Sequence, residues 1–71
     1  MTNWYYVEAK RNAGGNEVVE VECCRAEASP GMYWHPTIRE AAAEELTLAP
    51  KRRGDLISGT RQVLEELARE T

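Results

Sequence analysis

Residues Glu17 to Glu27 read EVVEVECCRAE. Val19, Val21 and Cys23 alternate with Glu20 and Glu22, the period-two pattern of a strand with one apolar face and one polar face. Upstream, Asn3 to Lys10 (NWYYVEAK) concentrates aromatic and β-branched residues and reads as a preceding strand. Arg11 to Asn16 (RNAGGN) lies between the two. Gly14 and Gly15 can take positive φ without a Cβ penalty, so the segment is a turn. The prediction is an antiparallel hairpin with Tyr5, Val7, Val19, Val21 and Cys23 as core positions. Trp4 and Tyr6 then fall on the opposite face, either partly covered or forming a contact surface.

Beyond the hairpin, Ser29-Pro30-Gly31-Met32 fits a type II turn, with proline second and glycine third. Met32 to His35 (MYWH) is the candidate third strand. Thr37-Ile38-Arg39-Glu40 matches a capping box and starts a first helix. Ile38, Ala41, Ala42 and Leu46 share one of its faces. Leu48-Ala49-Pro50 should end it, since proline disfavours helical geometry in the residue before it. Lys51-Arg52-Arg53-Gly54 then reads as a basic loop. Leu56, Ile57, Thr60, Val63, Leu64, Leu67 and Ala68 follow the helical period and define a second helix. Its start is open between Asp55 as N-cap and Ser58 or Thr60, because Gly59 inside a helix costs about 1 kcal/mol relative to alanine. Arg61–Glu65 and Glu65–Arg69 are i,i+4 pairs that support its exposed face. The fold class is α+β: a two- or three-stranded antiparallel sheet with two helices packed on one face, in a single small domain over residues 1–71.

With 71 residues, such a domain buries only about 60% of the surface its unfolded chain exposes. Chains this small often add a staple, a metal or a partner. The net charge is −3, from 9 basic and 12 acidic residues. That argues against broad non-specific nucleic-acid binding, which needs a strongly basic footprint, and suits contact with a basic protein surface. No charged leader followed by an apolar run is seen, and no run is long enough to span a bilayer. Adjacent Cys23 and Cys24 point to opposite strand faces and are poorly placed to pair, which fits a reducing cytosol.

Little in the sequence points to catalysis. Cys23, Cys24 and His35 are the only soft metal ligands, too few for a structural zinc site. Cys24 or Ser29 with His35 would be the only nucleophile–base dyads, with no third group to orient them. Gly14-Gly15 lacks the lysine and the strand-to-helix context of a phosphate loop. The expectation is therefore a non-enzymatic protein without cofactor or metal. Lys51, Arg52, Arg53 and Arg61 are candidates for phosphate contact, against the plainer reading of a solvated loop that complements a helix C-terminus. Trp4, Tyr5, Tyr6, Tyr33 and Trp34 serve the core first. Those left at its rim become interface anchors for a protein partner or a homodimer.

Glu20 and Glu22 lie two residues apart on one strand face, about 6.7 Å from each other. Glu40 and Glu44 are like charges at i,i+4, which a cationic partner would relieve. Glu20, Glu22, Glu40, Glu44, Trp4 and Tyr6 are the expected partner-binding residues. The plainer reading of the acids is a solvated face that keeps a small protein soluble.

The hairpin Trp4–Ala26, with its GG turn and EVVEVE strand, precedes the alanine- and glutamate-rich helix Thr37–Leu46. This layout resembles many small phage-encoded proteins, several anti-CRISPR inhibitors among them. The likeness is one of architecture and composition, without a diagnostic motif, and it assigns no functional residue. It implies a stoichiometric inhibitor acting in the cytoplasm of a bacterial host. Such an inhibitor would occupy a nucleic-acid-binding groove of a CRISPR-Cas complex, with acidic side chains standing in for phosphates or aromatics blocking sterically.

Overall fold

A computed structural model describes residues 1–69. Two strands, β1 (Thr2–Arg11) and β2 (Glu17–Ala26), are followed by two helices, α1 (Ile38–Arg53) and α2 (Ser58–Arg69). The strands form a two-stranded antiparallel sheet with Tyr5 opposite Cys23, Val7 opposite Val21 and Ala9 opposite Val19. The fold is α+β, as the sequence predicts.

Asn12 closes the hairpin. Its side-chain Oδ1 accepts from the N–H groups of Gly14 and Asn16, both at 3.0 Å. Its own N–H donates to the Asn16 carbonyl at 2.8 Å. Of the two turn glycines only Gly15 takes positive φ, at 82°.

Both helices pack on the face carrying Val7 and Ala9. The core joins these two residues to Ala41, Ala42 and Ala49 of α1, to Leu56, and to Leu64 of α2. Tyr5, Val19, Ile38, Leu46, Leu67 and Ala68 border it. This core is built on alanine, which lets α1 approach the sheet closely. Two expected core positions are corrected. Val21 is 44% exposed and Cys23 is exposed. They lie on the helix side of the sheet, but the helices do not cover that part of β2. Just before α2, Leu56 is buried and Ile57 exposed; on α2, Thr60 and Leu64 are buried while Val63 remains exposed.

Three local expectations also change. Helix α1 does not stop before Pro50 but runs through it to Arg53, so the expected basic loop is the helix's last turn. An interior proline costs about 3 kcal/mol; here the turn beyond it is held by side-chain bonds from Arg52 and Arg53. Gly54, at φ 88°, ends the helix by donating to the Pro50 carbonyl. The segment Met32–His35 forms no full strand. Only His35 pairs with β1, exchanging two backbone bonds with Tyr5 at 2.7 and 2.9 Å. The type II turn at Ser29–Met32 is absent as well. Gly31 has no positive φ, and the chain turns two residues later, where Trp34 N–H donates to the Gly31 carbonyl at 3.3 Å. The Trp34 ring lies against Gly31, where an added Cβ would meet Trp34 Cδ1 at 3.4 Å.

The Thr37 cap forms with a variation. Thr37 Oγ1 accepts from Glu40 N–H at 3.1 Å and donates to the Glu40 carboxylate at 2.7 Å. Helix α2 begins at Ser58, one of the open alternatives, so Gly59 sits in its first turn.

Candidate protein-interaction face

The strand register divides the predicted contact residues. Val7, Ala9 and Val19 point to the helices, so Trp4, Tyr6, Glu8 and Lys10 of β1 point away. Their cross-strand neighbours Cys24, Glu22, Glu20 and Val18 share that outer face. The outer face therefore brings together Trp4, Tyr6, Glu20 and Glu22, and adds Glu8. Glu8 is not among the contact residues expected from the sequence; the register brings it in by setting it opposite Glu20.

Both aromatics on this face are fixed. The Trp4 indole N–H donates to the Ala26 carbonyl at 3.1 Å. The Tyr6 ring lies 5.7 Å from the Trp34 ring, tilted by 41°. Burial, with the charges of Glu8 and Glu45, pushes the Tyr6 phenol above its ordinary pKa. Glu20 is bonded to Lys10 at 2.9 Å, with both side chains nearly half exposed. An exposed pair of this kind contributes little to stability and exchanges readily for another partner.

Glu40 and Glu44 do not extend this face directly. Glu40 belongs to the Thr37 cap. Glu44 accepts from the His35 ring nitrogen Nε2 at 2.7 Å, so His35 is tied to a carboxylate. Among the described residues, no three His, Cys, Asp or Glu side chains are grouped to hold a metal ion. Glu44 does meet Tyr6 and Glu8 in a groove of about 350 Å³ beside β1. Tyr33, Lys51 and Arg52 also line that groove. Its charge is mixed, which distinguishes it from the acidic outer face.

The basic residues 51–53 are largely committed internally. Arg52 donates to Glu45 at 2.8 Å. Arg53 donates to Glu17 at 2.7 Å and to the Ala9 carbonyl at 2.8 Å. Glu45 is only 2% exposed and accepts from Ala9 N–H at 2.7 Å. Side chains of α1 thus satisfy both backbone groups that Ala9 turns away from β2. Glu17 carries the network onward, accepting from Ile57 N–H at 3.1 Å. Local sequence does not announce this network, because residues 51–53 read as a loop and no neighbouring residue marks Glu45 as buried.

The Thr60 hydroxyl holds the Glu17 carboxyl below its usual range, helped by Ile57 N–H and Arg53 and opposed by burial. A lowered folded-state pKa gives stability that is present above the unfolded value, near 4.5, and lost as pH falls through the folded value. Thermal melts across that acid range should show a falling Tm. Glu17→Gln should be less stable near neutral pH and show a shallower acid slope. An unchanged slope would remove Glu17 from the account.

Comparison with protein-family models, with curated proteins and with solved structures gives no match. No helix among the described residues is long and apolar enough to cross a membrane.

Proposed function

We propose that this chain is a non-enzymatic protein-binding inhibitor of the kind represented by phage anti-CRISPR proteins. Its contact surface is the outer sheet face. The observation that carries this reading is a sheet that the helices cover on one side only, whose other side gathers Trp4 and Tyr6, with Trp34 against Tyr6, beside Glu8, Glu20 and Glu22. Fixed aromatics beside carboxylates suit a partner surface rich in lysine and arginine. A nucleic-acid-binding groove of a bacterial defence complex presents such a surface. Glu20 would exchange Lys10 for a partner cation, and Glu22 stands beside it. The site is confined to the sheet, with Glu44 at its margin.

Binding to purified CRISPR-Cas effector complexes, with and without their nucleic acid, tests the reading. The wild-type chain should compete with nucleic acid, and competition should weaken with salt. Glu20→Lys combined with Glu22→Lys should reduce affinity by at least about tenfold, since one unfavourable close charge pair at an interface is worth more than about 1.4 kcal/mol. Undiminished binding by the double variant would sink the assignment of the face.

A further inference from the structure

The two edges of the sheet are treated differently. On β1, Tyr5 bonds outward to His35, so by alternation Val7 and Ala9 also turn their backbone groups outward. His35 covers Tyr5, and Glu45 with Arg53 covers Ala9. The outer edge of β2 has no such cover among the described residues. The residues opposite Tyr5, Val7 and Ala9 are Cys23, Val21 and Val19, and they too turn their N–H and C=O groups outward. Strand β2 is ten residues long and contains no proline or lysine. Edge strands are ordinarily blunted by proline, by charged side chains, by bulges or by a covering segment; of these β2 has only charges, at Glu17, Glu20, Glu22 and Arg25, and they restrict which register can pair. Val21 and Cys23 also leave side chains exposed beside this edge.

We infer that β2 pairs antiparallel with β2 of a second copy, making a continuous four-stranded sheet. The charges select the register. Only Glu17, Val19, Val21, Cys23 and Arg25 have outward backbone groups, so odd positions must face odd positions. A two-fold axis at Glu20 or Glu22 sets that residue opposite itself. An axis at Val21 sets Glu20 opposite Glu22 of the second copy. Each places like charges directly across the strands, which is destabilising. An axis at Val19 avoids this but pairs only Glu17 to Val21. An axis at Cys23 pairs Glu20 through Ala26, the longer span. It sets Glu22 opposite Cys24, Glu20 opposite Ala26 and Val21 opposite Arg25. The acids stay on the outer face, which the second copy extends. This inference does not depend on the proposed inhibitor function.

The axis at Cys23 places two Cys23 residues opposite each other in a hydrogen-bonded pair. Their Cα atoms are then about 5.5 Å apart, within the roughly 4.4–6.8 Å that a disulfide spans. The test combines sedimentation of the full chain over a range of concentrations with oxidation by diamide, which takes up the hydrogens of the two thiols. The expected results are a monomer–dimer equilibrium, and a covalent dimer formed by Cys24→Ser but lost in Cys23→Ser. Val21→Pro removes only an outward N–H and leaves the ladder to β1 intact. It should give a folded monomer by circular dichroism, and Val21→Lys serves the same purpose if the proline variant does not fold. A wild-type chain that stays monomeric at all concentrations would overturn the inference. So would a dimer that survives a folded Val21 variant, or one that cross-links through Cys24 instead of Cys23.

Discussion

Glu45→Ala should be among the more damaging single substitutions in this chain, removing about 1–3 kcal/mol of stability, mainly through the orphaned Ala9 N–H, since Arg52 is 43% exposed and water can solvate it. The carboxylate is buried, holds Ala9 N–H at 2.7 Å and holds Arg52 at 2.8 Å. Alanine leaves a β1 edge donor without its partner and Arg52 without its counter-charge. A single core in a chain of 71 residues rarely supplies more than about 3–5 kcal/mol, so the variant should be marginal at room temperature. Glu45→Gln separates the two roles. The amide oxygen can still accept from Ala9, while the charge opposite Arg52 is lost. Urea unfolding followed by circular dichroism should rank the three proteins as wild type, glutamine, alanine. An alanine variant as stable as wild type would show that water replaces the carboxylate at the edge.

Leu64→Ala should cost about 2–5 kcal/mol. Leu64 is fully buried and is the largest such side chain among the described residues. Its core neighbours include Ala41, Ala42, Ala49 and Ala9. Alanine side chains have no rotamers with which to fill a hole, so the cavity stays open. Val63→Ala, one position earlier on an exposed part of α2, should shift the melting temperature far less. Equal losses at the two positions would mean that α2 contributes helical propensity rather than packing.

The hairpin was legible because alternation in β2 and the Asn12–Asn16 turn are local signals. The second helix was legible from its apolar spacing, and Thr37 from its cap. What could not be read was set by distant groups. Pro50 reads as a stop, yet the turn beyond it is held by Glu45, Ala9 and Glu17. Alternation assigned Val21 and Cys23 to the inner face correctly but could not say how far the helices reach along β2. For the candidate face, pairing period fixed that Glu20 and Glu22 share a side with Tyr6. Glu40 and Glu44 were grouped with them by charge alone, and packing sends them to the Thr37 cap and to His35.

The bonds around Ala9 and Glu17 span long stretches of chain: 36 residues from Ala9 to Glu45, 44 from Ala9 to Arg53 and 40 from Glu17 to Ile57. Such contacts form only after large loops have closed. An isolated two-stranded hairpin is marginal in water, and helices of this length gain most of their stability from packing. Neither half of the molecule can therefore act as a folding template that the other joins later. Amide protons in β1 and in the last turn of α1 should become exposed to exchange together, in one opening event. Cutting the chain between the hairpin and α1 should leave two largely unstructured peptides that regain order only when mixed.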